Sequence, residues 1–241
     1  LWGTPTYFWS KHKSTNFDWW RKRFKRQFEL MDLLRLDHFR GLAGYWRVNG
    51  KSKTAISGRW INSPGRTLLN KLKIDLGTDF LPIIAEDLGV ITPDVEKLRK
   101  NFELPGMKIL QFAFDGNEDN PYLPKNIEGE NWVVYTGTHD NSTCISWWEC
   151  LENNAKKRIK DEYKFSENPS WSLIKIGMET NANLFIAPIQ DILSLDDSSR
   201  LNIPGTTKNN WKWKLNRPLG EVEENVRRFS ELGNKFGRTR Q

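Results

Sequence analysis

Short apolar runs alternate along this chain with longer stretches in which apolar residues recur every three or four positions. The short runs predict strands that are buried on both faces, and the recurring positions predict amphipathic helices. Strands are predicted at 33–37, 81–86, 108–112, 132–140 and 184–189. Helices are predicted near 17–33, 65–77, 93–101, 146–163, 170–182 and 222–236. The Gly-rich stretch 39–64 shows neither pattern and is expected to be irregular.

The order of these elements predicts the fold class. Strand and helix alternate about five times, which is typical of an α/β fold with a parallel sheet wrapped by helices. A TIM (β/α)8 barrel needs eight such units, and five strands cannot close it. We therefore expect residues 1–241 to be a portion of a single barrel domain of about five βα units, with the other strands upstream of Leu1.

Three of the predicted strands end in a carboxylate, namely Asp37, Glu86 and Asp140. A lone acidic residue after a strand is usually a turn or helix-cap residue. Its recurrence on three strands instead favours a site at the rim where barrels carry their catalytic groups. Residues two apart in a strand point the same way, so Arg35 shares a face with Asp37. We expect these four side chains to converge at that rim.

This combination of residues suits chemistry on glycosidic bonds. That chemistry uses one carboxylate as nucleophile and one carboxylic acid as proton donor, about 5–5.5 Å apart when stereochemistry is retained. Arg35 is expected to keep Asp37 ionised, whereas neighbouring carboxylates are expected to raise the pKa of Glu86. His38 and His139 each stand beside a carboxylate and are suited to hydrogen-bonding sugar hydroxyls.

Charge and composition exclude several other classes of protein. The chain carries a net charge of +7, but its basic cluster at 21–26 lies on the solvated side of a predicted helix. We therefore predict no nucleic-acid partner. No apolar run approaches the ~20 residues that cross a bilayer, and no signal peptide is visible, so we predict no membrane association and a cytoplasmic protein.

Two cysteines, Cys144 and Cys150, are too few for a disulfide framework and lack the partners of a zinc site. Neither a close pair of histidines nor a carboxylate-rich loop is present, so no metal and no other cofactor is predicted.

Twelve tryptophans point again to carbohydrate, because flat apolar rings stack on the faces of pyranose rings. The aromatic residues near the predicted strand ends are Trp2, Trp9, Tyr45, Trp46, Trp147 and Trp148. For Trp2 and Trp46, composition leaves sugar stacking and core burial equally open.

The motifs around the three carboxylates resemble the 4-α-glucanotransferases (amylomaltase, or disproportionating enzyme) of the α-amylase clan. The principal matches are Arg35–Gly41, Tyr45–Trp46, Ala85–Gly89 and Thr136–Asn141. Further matches are Trp2–Gly3, Pro105–Met107, Pro188–Asp191, Arg200, Asn202, Pro204–Gly205 and Asn210–Trp213. The resemblance runs from Trp2 to about Arg238 and implies the C-terminal half of a (β/α)8 enzyme. One departure is Ser142, where many members have Asp.

The resemblance implies a role for each matched residue. Asp37 would be the nucleophile, Glu86 the general acid/base, and Asp140 the carboxylate that grips the hydroxyls of the distorted sugar. Residues that match positions supporting that sugar, or lying near bound glucan, are Arg35, His38, His139, Trp2 and Asn202.

The implied activity is transfer of a segment of an α-1,4-glucan to the 4-hydroxyl of an acceptor glucan or glucose. The implied partners are α-1,4-glucans and malto-oligosaccharides, and the implied location is the cytoplasm, or the plastid stroma in a plant or alga. Two alternatives stay open: a retaining α-glucan hydrolase, and a non-catalytic glucan-binding fragment. The presence of all three carboxylates argues against the second alternative. The absence of the first three strands makes the isolated chain a poor candidate for independent activity.

Overall fold

The computed structural model describes residue 1 and residues 3–239. The described chain divides into two units, Leu1–Met107 and Lys108–Gln241. No helix among the described residues is both long enough and apolar enough to span a membrane. Each unit has its own buried core.

Parallel strands and flanking helices build the first unit. Its helices are α1 (Trp9–Ser14), α2 (Asp18–Phe28), α3 (Gly65–Leu76) and α4 (Pro93–Asn101). Its strands are β1 (Leu34–Leu36), β2 (Gly44–Val48), β3 (Gly58–Asn62) and β4 (Ile83–Ala85). Strand β1 pairs with β4 in parallel, with Leu36 opposite Ala85. The core between strands and helices contains Phe24, Phe39, Leu69, Ile83 and Leu98, all buried.

The second unit repeats the α/β arrangement. Strands β5 (Gly106–Ile109), whose first two residues precede the boundary after Met107, β6 (Trp132–Tyr135) and β7 (Leu184–Ile186) form one sheet in that order. Strands β6 and β7 are parallel, with Val134 opposite Phe185. The helices are α5 (Cys144–Cys150), α6 (Asn153–Tyr163), α7 (Pro169–Glu179), α8 (Ile189–Ile192) and α9 (Leu219–Lys235). The amphipathic α9 packs Phe229 and Leu232 against the buried α7. The cysteines are free.

The sequence pattern located most elements but missed the short helix α1, in a segment expected to be loop-like, and one hairpin. Residues 44–62 were expected to be irregular, whereas β2 and β3 form an antiparallel hairpin there. The pattern failed because the hairpin has no buried face, and its largest side chains, Trp46 and Trp60, are exposed. Strand periodicity is visible in a sequence only where one face is apolar and the other polar.

Other predictions also need correction. The strands predicted over 132–140 and 184–189 end earlier, at Tyr135 and Ile186, so Asp140 lies on a loop rather than at a strand end. Helix α2 ends at Phe28 rather than near 33, and Met31 beyond it is exposed. The predicted helix 146–163 is two helices, because Leu151 and Glu152 have extended backbone angles. The predicted strand 108–112 lies earlier, at Gly106–Ile109, and a 3-10 turn at Leu110–Phe112 follows it.

Candidate active site

Asp37 and Glu86 lie at the ends of the paired strands β1 and β4. Each directly follows a residue of the last registered pair, Leu36 and Ala85. Backbone hydrogen bonds continue past that pair: the Glu86 N–H donates to the Leu36 carbonyl at 3.1 Å, and the Phe39 N–H donates to the Glu86 carbonyl at 3.1 Å. The two acidic residues are therefore neighbours across adjacent strand ends, where strands run ~4.8 Å apart.

Asp37 is held by the arginine two residues before it. Nη2 of Arg35 lies 2.6 Å from Oδ1 of Asp37, as expected for side chains on the same face of a strand. The Asp37 side chain remains 71% exposed. It is thus charge-paired on one side and accessible to a ligand on the other.

Glu86 accepts two backbone hydrogen bonds. The His38 N–H donates to Oε2 at 2.5 Å, and the Leu88 N–H donates to Oε1 at 3.2 Å. Burial nevertheless raises the pKa of Glu86 above its usual value, and the negative charge of Asp37 adds to that rise. The two N–H groups and Arg35 act in the opposite direction without cancelling it. The protonated form of Glu86 therefore persists to higher pH than in an ordinary glutamate, which suits a proton donor.

His38 adopts a left-handed backbone conformation, with φ of +50°. This conformation is uncommon outside glycine. Here it turns the chain directly after Asp37 and aims the His38 N–H at Glu86. The imidazole itself is exposed. The left-handed conformation of His38 thus helps to position the Glu86 carboxylate next to Asp37.

A cleft of about 1340 Å³ in the first unit is lined by Arg35, Asp37 and His38. Its wall continues onto the hairpin through Tyr45, Trp46 and Trp60. The aromatic residues expected to stack on sugars therefore behave differently from one another. Trp147 and Trp148 pack against the core of the second unit, Trp9 packs against the first core and also lines the cleft, and Trp46 lines the cleft as an exposed residue.

In the second unit, Asp140 lies on the loop between β6 and α5. Nδ2 of Asn202 donates to Oδ1 of Asp140 at 2.5 Å, and Nε2 of His139 lies 3.4 Å from the same oxygen. Nη2 of Arg200 donates to the Asp140 carbonyl at 2.6 Å. The structure thus brings together the three residues of this unit that the sequence assigned to the site, and adds Arg200.

Arg200 matched the family only as part of a motif, and the sequence assigned it no role in the site. Its Nη1 donates to Oγ of Ser142 at 3.2 Å, and its Nε donates to the Asn202 carbonyl at 2.9 Å. It therefore joins two segments: residues 136–143, here called the Asp140 loop, and residues 200–218, here called the late loop. Trp211, from the same late loop, places its ring 5.1 Å from the His139 ring.

A buried carboxylate, that of Asp191, connects the two ends of the Asp140 loop through hydrogen bonds. Asp191 is only 1% exposed; Oδ2 accepts from the Thr136 hydroxyl at 2.6 Å, and Oδ1 accepts from the Cys144 N–H at 2.8 Å. Thr136 and Cys144 stand at the two ends of the loop. Burial raises the pKa of Asp191, and burial likewise raises the pKa of the Cys144 thiol. The sequence feature that could have indicated this buried carboxylate is an acidic residue inside the largely apolar segment 188–193.

Trp2 lies outside the described residues, so its predicted role stays a prediction. Among the residues that the structure describes, no three His, Cys, Asp or Glu side chains gather as metal ligands.

Comparison with known proteins adds an independent line of evidence. Residues 1–219 match the model of glycoside hydrolase family 77, described as 4-alpha-glucanotransferase. The chain is 47% identical over 216 residues to a 4-alpha-glucanotransferase of Synechocystis sp., covering 89% of this chain and 43% of that protein. It is 42% identical over 242 residues to the chloroplastic/amyloplastic 4-alpha-glucanotransferase DPE1 of Arabidopsis thaliana, covering 99% of this chain and 42% of that protein.

Among solved structures, an amylomaltase from Streptococcus agalactiae in complex with acarbose matches with a TM-score of 0.91 and 34% identity. That match covers 100% of this chain and 48% of the amylomaltase. The chain therefore spans less than half the length of each of these three relatives.

Proposed function

Because the chain belongs to the 4-alpha-glucanotransferase family, glycoside hydrolase family 77, we propose that the protein moves a segment of an α-1,4-glucan onto the 4-hydroxyl of another glucan or of glucose. The observation that carries this proposal is the pair of acidic residues at adjacent strand ends. Asp37 is exposed and held by Arg35, while Glu86 beside it has a raised pKa. One carboxylate is thus suited to attack and the other to donate a proton.

The first step cleaves the donor. Glu86 protonates the glycosidic oxygen as the bond to it breaks, and Asp37 attacks the anomeric carbon to form a covalent glycosyl-enzyme. Arg35 holds the Asp37 carboxylate in position for this attack through the 2.6 Å contact between Nη2 and Oδ1. The leaving group is the reducing-end part of the donor glucan.

The second step builds the product. Glu86, now deprotonated, takes the proton of the acceptor's 4-hydroxyl, and that oxygen displaces Asp37 from the anomeric carbon. Two inversions give net retention of the α configuration. The mechanism needs no cofactor and no metal.

The remaining residues bind sugar in this proposal. Asp140 binds hydroxyls of the donor sugar, with His139 and Asn202 contributing hydrogen bonds and orienting the carboxylate. Arg35 and His38 line the cleft beside Asp37 and serve the same sugar. Trp2 is proposed to lie near bound glucan on the basis of its motif alone.

We further propose that β1, β4, β5, β6 and β7 supply about five units of a (β/α)8 barrel and that residues 1–241 are the C-terminal portion of one catalytic domain. Support comes from the parallel pairing of β1 with β4 and of β6 with β7, and from the amylomaltase match over the whole chain. The proposed location is the cytoplasm, or the plastid stroma in a plant or alga. The chloroplastic name of the Arabidopsis relative is in line with the second possibility.

Chromatography of maltotriose digests tests the activity in the full-length protein. We expect glucose together with a ladder of longer malto-oligosaccharides. Products that are all shorter than the substrate would instead identify a retaining α-glucan hydrolase, in which water replaces the acceptor sugar. Binding of maltotriose without any turnover would leave only a glucan-binding protein.

A donor that needs no protonation separates the roles of the two carboxylates. With α-maltosyl fluoride, whose leaving group departs unaided, a Glu86→Gln variant is expected to form the glycosyl-enzyme and to release it slowly. Mass spectrometry of the protein's peptides should then find the added sugar on Asp37. Finding the sugar on another residue would overturn the assignment of the nucleophile.

A further inference from the structure

Two tryptophans from opposite strands of the hairpin form a pair on one face. Trp46 on β2 lies directly across from Trp60 on β3, and opposite residues in an antiparallel pair share a face. Their ring centroids are 5.6 Å apart, with an angle of 65° between the planes. We call these two side chains the tryptophan pair.

Contacts on the hairpin and around it hold both rings in place. Nε1 of Trp46 donates to the Ala55 carbonyl at 2.7 Å. A Cβ atom at Gly58 would lie 2.6 Å from that same nitrogen, so glycine there leaves the space that the indole occupies. The guanidinium of Arg40 lies 4.6 Å from the centre of the Trp60 ring and is itself fixed by a 2.8 Å hydrogen bond to the Thr92 hydroxyl.

The tryptophan pair is nevertheless exposed. Trp46 is 39% exposed and Trp60 is 56% exposed. By contrast, Trp20 in the same unit is buried in the core. Large apolar rings that are held rigidly and left in contact with water are characteristic of binding surfaces rather than of cores.

The surface onto which the pair opens identifies its occupant. Trp46 and Trp60 line the same cleft as Asp37 and His38, and the lining of this cleft also includes the polar residues Asn49 and Ser52. A ligand bound across this cleft must offer flat apolar faces to the indoles and hydroxyl groups to the polar side chains. A chain of glucose units has both.

We propose that the tryptophan pair is a binding subsite for an α-1,4-glucan chain, engaging glucose units remote from the bond that reacts at Asp37. The inference rests on the proposed function for the identity of the sugar. Stacking of a pyranose face on a preformed, immobile ring costs little ordering free energy, because the protein side of the contact is already fixed. The subsite therefore favours long glucans over short ones.

Kinetics of the full-length protein with maltotriose and maltoheptaose test the proposal. In Trp60→Ala, the KM for maltoheptaose is expected to rise more than the KM for maltotriose, changing their ratio by about fivefold, as expected from the loss of one aromatic stacking contact. Trp46→Ala is expected to shift the ratio in the same direction. Trp60→Phe, which keeps a flat ring, is expected to recover much of the discrimination.

Trp19 offers a matched control. It is 48% exposed and has the Arg23 guanidinium 5.2 Å from its ring centre, but it does not line the cleft. Trp19→Ala should therefore leave both KM values unchanged. A Trp60→Ala variant that affects the two substrates equally, or neither, would overturn the proposal.

A binding measurement keeps the subsite testable apart from the enzyme activity. Isothermal titration of maltoheptaose into the Asp37→Ala protein, with and without Trp60→Ala, reports on the subsite even if the protein proves not to be a transferase. Weaker binding in the double variant supports the subsite, and equal binding rejects it. If Trp60→Ala fails to fold, Trp60→Leu carries the same comparison, because leucine keeps an apolar contact on the hairpin without a flat ring.

Discussion

Asp37 in the first unit and Asp140 in the second both follow a parallel strand, yet different kinds of contact hold them. Asp37 is held by Arg35, two residues away, and by the pairing of β1 with β4. Asp140 is held by Asn202 and Arg200, some sixty positions further along the chain. The first arrangement follows from strand geometry, whereas the second exists only when the late loop is in place.

The two units also differ in how they bury acidic groups. In the first, Glu86 is partly buried and its pKa is raised, a property that the proposed reaction uses. In the second, Asp191 is fully buried and satisfied by Thr136 and Cys144. A buried carboxylate with a hydrogen bond to each oxygen stabilises a loop, whereas a partly buried carboxylate with a raised pKa is suited to exchanging protons.

The largest expected effect separates chemistry from binding. Asp37→Ala is expected to lower kcat/KM by roughly 10⁴-fold while retaining glucan binding, because it removes the nucleophile. Asp140→Ala is expected to lose both turnover and binding, because the residue holds sugar hydroxyls. The kinetic assay measures kcat/KM, and calorimetric titration with maltoheptaose measures the affinity for glucan. Strong glucan binding by Asp140→Ala would contradict its proposed role.

The next effect tests the buried carboxylate of the second unit. Asp191→Ala leaves the Thr136 hydroxyl and the Cys144 N–H without their acceptor, which is expected to cost about 3 kcal/mol of stability. Denaturant unfolding of the full-length protein measures the cost. Asp191→Asn should cost less, because the amide keeps the shape and one acceptor oxygen.

The difference in stability between the wild-type protein and Asp191→Asn is expected to change with pH in one direction. Because the pKa of Asp191 in the folded protein is raised above its ordinary 3.8, its contribution to stability is fully present below that value and is lost as pH rises through the folded pKa. Asparagine does not titrate. The stability gap between the wild-type protein and Asp191→Asn should therefore narrow as pH rises, and a gap that widens would contradict the assignment.

A smaller effect is expected at Arg200. Arg200→Ala removes the contacts to the Asp140 carbonyl and the Ser142 hydroxyl, and is expected to raise KM by about tenfold because the Asp140 loop loses its orientation. Arg200→Lys should not restore the wild-type value, since one ammonium cannot replace a guanidinium that donates in three directions. Arg158→Ala, which removes a similar contact to the Phe114 carbonyl, serves as the control.

The smallest expected effect is a shift in the titration of Glu86. The charge of Asp37 raises the pKa of Glu86 and that of Arg35 lowers it. Asp37→Asn should therefore lower the pKa of Glu86, and Arg35→Gln should raise it further. Carbon-13 NMR of labelled glutamate carboxyls measures both directions. Shifts of the same sign in the two variants would exclude the electrostatic coupling inferred here.

The pattern of apolar residues determined the parts of this protein that depend on local order. It located the five strands and placed Asp37 and Glu86 directly after strand ends, but the strand predicted over 132–140 ends at Tyr135, so Asp140 lies on the loop that follows it. It also paired Arg35 with Asp37, because side chains two apart in a strand must share a face. It missed the β2–β3 hairpin, whose exposed faces carry no apolar periodicity.

Tertiary structure alone decided which distant residues meet. Nothing in the sequence distance between 140 and 200 predicts that Arg200 binds the Asp140 carbonyl, or that Asp191 joins the two ends of one loop. The raised pKa of Glu86 comes mainly from burial, which depends on how the chain packs around it. Local geometry follows from the order of residues along the chain, whereas burial and long-range hydrogen bonds exist only once the chain has folded.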